Sequence, residues 1–222
     1  MKSIIKKIYM AITKLWGVSP IKFIWWNFCS RRITRLGKHY IYPYFGTHIT
    51  VDKSAHIELN GDLFLNAYKI RGSKQECLVV LRKGAKWVIN GETYLYYGAG
   101  VQVHNNAELT TGRLYMNTGS IIICGLKINL GDVVSMARMS SILDDDHHPI
   151  YNSEGKIINS AKEIVIGNNV LIGMKASILK GATIGDQCVI GANSLVGNII
   201  PSNTMVGQTG VRPIAKDITW ER

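Results

Sequence analysis

The chain has 222 residues, of which 46% are hydrophobic and 18% are charged, a composition that argues against a long disordered polypeptide. Its formal net charge is +11, and most of the excess lies in the first 40 residues, which contain nine Lys or Arg and no Asp or Glu. The four cysteines, at positions 29, 77, 124 and 188, form no CxxC pair, which excludes a zinc ribbon and a thioredoxin-type motif. We expect small buried thiols in a reducing cytoplasm.

The N-terminal segment, residues 1–42, is predicted to form two short amphipathic helices. Ile4, Ile8 and Ile12 share one helical face, and an apolar, aromatic stretch with basic flanks follows Pro20. No apolar run reaches the ~18 residues that a membrane-spanning helix needs. The N-terminus also lacks the long apolar core and the cleavage site of a signal peptide.

The same segment carries a possible membrane contact. Lys and Arg beside Trp25 and Trp26 favour peripheral binding of residues 1–40 to the anionic inner face of the plasma membrane. The alternative is that the helices pack on the rest of the chain. Positive charge alone would also suit nucleic acid, but the aromatic pattern does not favour that partner. We therefore expect a cytoplasmic protein.

A six-residue repeat occupies residues 166–201. An aliphatic residue opens each hexad, and the fifth position is small or aliphatic. The opening residues are Ile166, Ile172, Ile178, Ile184, Ile190 and Val196, and the fifth residues are Val170, Ala176, Ala182, Cys188, Ser194 and Ile200. Period six fits neither an α-helix nor a long strand, but it fits a short strand plus a corner that stacks on its neighbours.

The same phase continues upstream to Thr118; further upstream, as far as Val51, the pattern weakens and shifts phase. We therefore predict an all-β fold, a parallel β-helix over residues 43–212 with a loop at 66–80 and a short tail at 213–222. The repeat fails between 148 and 165, where His148, Glu154 and Ser160 occupy the aliphatic positions. We interpret residues 149–163 as an excursion loop, and a local failure of a consistent pattern is where function is expected.

These residues resemble the bacterial hexapeptide-repeat acyltransferases. The resemblance runs from about Phe45 to the C-terminus, and four segments carry it beyond the bare repeat: LYMN at 114–117, DDDHHPI at 144–150, VLIGMKASILKGATIG at 170–185 and ITWER at 218–222. It is similar to the branch that O-acetylates surface polysaccharide and O-antigen, and to the galactoside and maltose O-acetyltransferases. The resemblance implies a left-handed β-helix, a homotrimer, acetyl-CoA bound between subunits, and a sugar or lipid-linked glycan acceptor.

The resemblance also implies a histidine general base, and His148, which precedes Pro149, is the candidate. On an extended segment Asp144 and Asp146 project to the same side as His148. A carboxylate there could orient the imidazole, with Asp146 the first candidate and Asp144 the second; a solvated acidic corner is the alternative for both. His147 is the rival base.

Asn117 matches the family's asparagine and is assigned to the catalytic site. Asp144, His147 and Asn117 are the predicted acceptor-binding residues; a plain corner asparagine is the alternative for Asn117. The loops at 66–80 and 149–163 are expected to set specificity.

Donor binding in the family relies on backbone groups of the late coils and on basic side chains near the CoA phosphates. By position, the expected donor-binding residues are Gly173, Lys180, Gly191, Ala192, Arg212 and Lys216. Simple corner geometry is the alternative for the backbone positions. The segment Gly207–Gly210 departs from the family, which has Gly-x-Pro-Ala followed by a basic residue.

Four other functions are compatible with the pattern. The chain could transfer acetyl to the nitrogen of an amino sugar, use another acyl donor, or be a non-enzymatic scaffold. A metal enzyme of the γ-carbonic anhydrase type would need three converging histidines, but the adjacent His147 and His148 point opposite ways on a strand, so no metal is expected.

Overall fold

The chain forms short strands whose residues alternate between buried and exposed, and these strands wind into three parallel sheets. The structure, a computed structural model, describes residues 14–208. Within each sheet every strand pairs with the strand three places along the chain, so the backbone visits each sheet once per coil. This topology is the predicted parallel β-helix, a left-handed prism of stacked three-sided coils.

The first sheet contains β1 (Ile33–Arg35), β4 (His56–Leu59), β7 (Lys86–Ile89), β10 (Glu108–Thr111), β13 (Lys127–Leu130), β16 (Ile164–Ile166), β19 (Thr183–Ile184) and β22 (Ile199–Ile200). The second contains β2 (Ile41–Pro43), β5 (Leu63–Ala67), β8 (Thr93–Tyr96), β11 (Leu114–Met116), β14 (Val134–Met136), β17 (Val170–Ile172), β20 (Val189–Ile190) and β23 (Met205–Val206). The third contains β3 (Thr47–Val51), β6 (Cys77–Leu81), β9 (Gly100–Val103), β12 (Ile121–Cys124), β15 (Ser141–Leu143), β18 (Ser177–Leu179) and β21 (Leu195–Val196).

The hexad positions form the core, as predicted. All six opening residues between Ile166 and Val196 are buried, and so are all six fifth-position residues between Val170 and Ile200. Each side chain stacks on its equivalent in the next coil; Ile166, for example, is the register partner of Leu130 and Ile184. The interior is therefore a continuous apolar column.

The corners are tight because successive coils stack almost directly on each other. A Cβ on Gly131 would lie 2.7 Å from the carbonyl carbon of Gly167, so this corner has no room for a side chain unless the backbone of the next coil shifts. Asn169 and Asn193 adopt the left-handed conformation at other corners, with φ of 55° and 58°, which asparagine tolerates better than most residues.

The N-terminal segment is partly helical and partly integrated into the coils. Helix α1 (Pro20–Ile24) continues into a π-helical turn (Trp25–Cys29). Trp26 is buried against the first coil, and the buried Asn27 side chain exchanges hydrogen bonds with both backbone groups of Ile41 (2.7 and 2.9 Å). This part therefore packs on the β-helix.

The predicted domain boundary differs from the observed one. β1 and β2 already pair with β4 and β5, so the coils begin at Ile33 rather than at residue 43. The stretch 33–42 lacks a clear repeat in the sequence, so the pattern does not separate it from the helical N-terminal segment. The first predicted helix, apart from its end at 14–15, and the tail at 213–222 lie outside the described residues.

Two excursions interrupt the coils. Residues 68–76 leave the second sheet between β5 and β6, close to the predicted loop at 66–80. Residues 144–163 separate β15 from β16, so this excursion begins five residues earlier than predicted. The pairing of β13 with β16 and of β15 with β18 continues across the second excursion, so the core is unbroken there.

Candidate active site

His148 lies on the excursion that leaves the corner between the third and first sheets. Tyr151 and Ile157 pair as an antiparallel bridge, which makes the excursion a small hairpin. Asn159 holds the hairpin together where it leaves the prism. The side-chain amide of Asn159 donates to the carbonyl of His148 (2.8 Å), and its Oδ1 accepts from the N–H of Ile150 (2.7 Å). The hairpin thus presents His148 from a fixed backbone.

The His148 side chain is exposed and has no hydrogen-bond partner within residues 14–208. An exposed imidazole without a hydrogen-bond partner can contact a hydroxyl group of a bound molecule. The predicted partner Asp146 is directed elsewhere: its Oδ2 accepts from Lys180 Nζ (2.5 Å) and from Asn159 Nδ2 (3.0 Å). These two donors, Lys180 first, lower the pKa of Asp146 below its ordinary value.

Asp146 is therefore not the orienting carboxylate in this structure, and Lys180 is not a free cation. Lys180 also donates to the carbonyl of Asn159 (2.7 Å), so its ammonium group ties the hairpin to β18. The prediction that Lys180 binds a CoA phosphate needs correction for this reason. Its charge is already matched by a carboxylate.

His147 faces the wall of the prism and not the solvent above it. Its ring stacks on His104 with centroids 4.3 Å apart and planes inclined by 18°. Its Nδ1 lies 3.4 Å from Asp145 Oδ2, and its backbone N–H donates to Asp145 Oδ1 (3.1 Å). The backbone of His147 has φ of 61°, so the chain reverses locally and the two histidines are separated. This placement disfavours His147 as base or acceptor ligand.

Gly125 makes room for that stack. It lies one coil below Asp145, and a Cβ at Gly125 would stand 2.6 Å from the Cβ of Asp145. Without a side chain there, Asp145 and His147 fold back towards His104. The sequence could have indicated this contact, because the residues that make it occupy equivalent corner positions in successive coils.

The half-buried His104–His147 pair predicts an acid-sensitive stability. Burial, followed by the charge of His147 and of Arg82, lowers the pKa of His104, while Asp145 and Asp144 oppose the shift. The unfolded chain therefore binds more protons than the folded one as the pH falls below the ordinary histidine value, so stability is lost on acidification. The melting temperature should fall between about pH 7 and pH 5.

A His104→Phe variant keeps a ring to stack on but removes one titrating group. We expect its melting temperature to depend less steeply on pH than that of the wild-type chain, measured at matched protein concentration. Identical slopes for the two proteins would contradict this assignment.

Asp144 is a structural residue, and its assignment to acceptor binding is wrong. Its side chain is 0% exposed, and its carboxylate accepts hydrogen bonds from the backbone N–H groups of Gly125, Leu126 and Lys127 at 2.5 to 3.0 Å. The thiol of Cys124 also points to it (3.6 Å). Burial, and then Asp144, raises the pKa of that thiol, which therefore remains a donor.

Asn117 lies at the corner between the second and third sheets, directly after β11. Its Oδ1 accepts from the N–H of Thr118 (2.8 Å), and its carbonyl accepts from the N–H of Ser120 (3.0 Å). His148 leaves the opposite edge of the third sheet. One chain therefore does not bring Asn117 and His148 together.

The donor candidates are corner residues of the late coils. The N–H groups of Gly173 and Gly191 donate to the carbonyls of Ile190 and Val206 (2.7 Å each), so the ladder uses them. Ala192 is exposed. Arg212 and Lys216 lie outside the described residues.

Among residues 14–208 no group of three or more His, Cys, Asp or Glu is arranged to hold a metal ion. In the same range no helix is long and apolar enough to cross a membrane.

Comparison with known proteins adds the following. Residues 163–198 match the family model described as bacterial transferase hexapeptide (six repeats). The chain is 32% identical to the galactoside O-acetyltransferase of Escherichia coli over 124 residues, which cover 54% of this chain and 56% of that protein. It is 36% identical to the polysialic acid O-acetyltransferase of Neisseria meningitidis over 87 residues, which cover 38% and 40%.

The chain thus spans about half the length of the curated relatives it matches. Among solved structures, the polySia-specific acetyltransferase NeuO aligns with 87% of this chain and 90% of its own, with a TM-score of 0.35 and 20% identity. Over residues 163–198, which build the late three-sided coils of the prism, the chain is thus similar to the bacterial hexapeptide-repeat transferases.

Proposed function

We propose that the chain is an acetyl-CoA-dependent O-acetyltransferase that modifies a sugar of a bacterial surface polysaccharide or of its lipid-linked precursor. The observation that carries the proposal is the exposed imidazole of His148 on a fastened hairpin that interrupts an otherwise regular coil. The relatives named above as O-acetyltransferases of a galactoside and of polysialic acid support the reaction class.

In the proposed reaction His148 takes the proton of the acceptor hydroxyl as its oxygen attacks the thioester carbonyl. The carbon–oxygen bond forms, the carbon–sulfur bond breaks, and the leaving thiolate receives the proton from the imidazolium. The developing oxyanion needs a hydrogen-bond donor, and the side-chain amide of Asn117 is our candidate. Its Nδ2 has no partner among residues 14–208.

A homotrimer would complete this site. His148 and Asn117 lie at different edges of one prism, so they can meet only if prisms pack side by side. Acetyl-CoA would then lie between neighbouring subunits, with the exposed Ala192 among its contacts. Arg212 and Lys216 are retained as candidates for the CoA phosphates, because Lys180 already pairs with Asp146.

Transfer of radiolabelled acetyl from acetyl-CoA by the full chain tests the proposed activity. The acceptors are a panel of nucleotide sugars and lipid-linked oligosaccharides, and mild alkali separates labile esters from stable amides. Alkali-labile label on a sugar is the expected result. Alkali-stable label would point to an amino-sugar N-acetyltransferase, and thiol release without any transfer would reject the proposal.

Complementation tests the shared site. His148→Ala and Asn117→Ala chains are unfolded together and refolded as a mixture. If each site takes one residue from either side of a subunit boundary, the mixture should recover part of the activity that each variant lacks. No recovery, with mixed oligomers confirmed by mass spectrometry, would contradict the trimer arrangement.

The exposed aromatic residues of the N-terminal segment support a peripheral membrane contact. Trp16 is 82% exposed and Trp25 is 54% exposed, and Lys22 and Arg31 lie in the same segment. Trp26, in contrast, is buried and belongs to the core. Because residues 33–40 are part of the coils, point variants are a better test than removal of the whole segment.

We expect the Trp16→Ser/Trp25→Ser double variant to lose several-fold in sedimentation with phosphatidylglycerol vesicles, because tryptophan anchors at the interface. The Tyr151→Ser variant, which removes an exposed aromatic residue on the distant hairpin, serves as control and should sediment like the wild type. Equal sedimentation of all three proteins would end the membrane proposal.

A further inference from the structure

A groove on the outer face of the second sheet combines aromatic rings with positive charge. Its volume is about 580 Å³, and its lining includes Tyr68, Lys69, Arg71 and Tyr94. In the part of the chain that the structure describes, no Asp or Glu contributes to the lining. The groove lies beside the 68–76 excursion, away from the hairpin that carries His148.

Stacked aromatic rings form the floor of this surface. Tyr42, Phe64, Tyr94 and Tyr115 follow one another on β2, β5, β8 and β11 with centroid distances of 4.7, 4.4 and 5.5 Å and nearly parallel planes. Tyr68, which is 68% exposed, leans over this ladder at 6.2 Å from Tyr94. The stacked rings form a flat aromatic floor against which a sugar ring can pack.

The cations of the groove are available to a ligand. Within the described residues no carboxylate lies within 4.0 Å of the Lys69 or Arg71 side chains, and Glu76, in the same excursion, pairs with His48 (3.0 Å). Lys14, the third cation of the lining, is by contrast held by Asp62 (3.1 Å). Two unmatched cations favour an anionic ligand.

A buried acceptor completes the groove. Asn66 is 1% exposed and lines it, and its Nδ2 donates to the carbonyl of Phe45 (2.6 Å). Its Oδ1 has no hydrogen-bond partner within residues 14–208. A buried carbonyl oxygen without a partner is costly, and a ligand hydroxyl group would satisfy it.

The groove continues towards Asn117. A second depression shares Ile70 and Ser73 with the first and reaches Thr118 and Arg138. Tyr115, the last ring of the ladder, is two residues before Asn117 on the same strand face. A chain lying in the groove would therefore be directed to the corner where we place the acceptor.

We propose that this groove is an extended subsite that binds acidic sugar residues of the acceptor glycan at a distance from the acetylated hydroxyl. The carboxylates would pair with Lys69 and Arg71, a hydroxyl would donate to Asn66, and a sugar ring would pack on Tyr68. This inference rests on the proposed function and names the class of its acceptor. Single-stranded nucleic acid also combines aromatic packing with phosphate contacts, but the groove's continuity with the Asn117 corner favours the glycan.

Calorimetric titration of the full chain without acetyl-CoA tests the subsite. The probes are hexasaccharides of sialic acid, galacturonic acid and hyaluronan, a neutral galactan hexasaccharide, and a dT15 oligonucleotide. We expect at least one acidic hexasaccharide to bind roughly tenfold more tightly than the neutral one, because charge-assisted contacts favour it. The Lys69→Ala/Arg71→Ala variant should lose most of that difference.

The Lys53→Ala/Lys83→Ala variant removes the same charge from exposed corners elsewhere and should bind like the wild type. Equal affinity for acidic and neutral probes, unchanged binding by the Lys69→Ala/Arg71→Ala variant, or tighter binding of dT15 would each overturn the inference. Acetyl transfer that persists in that case would leave the proposed function standing. Groove-dependent binding without any transfer would reject the function and not the groove.

Discussion

Replacing His148 by alanine should lower the rate of acetyl transfer by about 10²- to 10⁴-fold, the range that a positioned general base contributes. The exposed ring makes no hydrogen bond within residues 14–208. Its removal should therefore leave thermal unfolding unchanged. The measurement is the initial rate of thiol release and of ester formation at saturating acetyl-CoA.

Two further variants sharpen the test. Glu154→Ala changes an exposed residue of the same hairpin and should retain the wild-type rate. Added imidazole should restore part of the activity of the His148→Ala chain, because a diffusible base can enter the space that the ring leaves. A His148→Ala chain that transfers acetyl at the wild-type rate would show that the base is elsewhere.

Replacing Asp144 by alanine should destabilise the folded chain by about 3 kcal/mol or more, since each buried polar group left without a partner costs roughly 1–3 kcal/mol. Three backbone N–H groups of the corner below, from Gly125 to Lys127, would lose their acceptor. Asp144→Asn keeps one acceptor oxygen and should lie between alanine and the wild type.

Urea unfolding at a fixed protein concentration provides the measurement, because assembly makes stability concentration-dependent. Asp52 is the matched control: it is exposed, and among residues 14–208 its carboxylate accepts hydrogen bonds only from Ser54 of its own turn. Asp52→Ala should therefore change stability by less than about 0.5 kcal/mol. An Asp144→Ala chain with wild-type stability but impaired acceptor binding would restore the original assignment of Asp144 to the acceptor.

The sequence was sufficient for the fold because six-residue periodicity fixes both the strand length and the inward positions. Ile166 to Val196 occupy the core as the pattern predicted. The same logic located the excursion, since His148 and Glu154 at core positions cannot be buried without partners. The sequence did not predict that residues 33–42 belong to the β-helix, because their coil carries too little of the six-residue repeat.

The directions of the side chains in the site were harder to predict, because they depend on the backbone conformation of a few residues. Asp144, Asp146 and His148 would share one side only on an extended segment, but His147 adopts a left-handed conformation and reverses the chain. Asp144 continues the inward alternation of β15 and is buried, whereas Asp146 pairs with Lys180. Nothing in the sequence marks a non-glycine residue for that conformation or shows that Asn159 will close the hairpin.

The unbroken pairing of β13 with β16 across the hairpin has a consequence for the diversity of such enzymes. Ile164 meets Ile128 in normal register, although residues 144–163 intervene. Loop length is thermodynamically inexpensive, with each doubling costing about 0.6 kcal/mol. Hairpins of other lengths and compositions could therefore be grafted between Ile150 and Asn159, while Asp144, His148 and the prism beneath them stay the same.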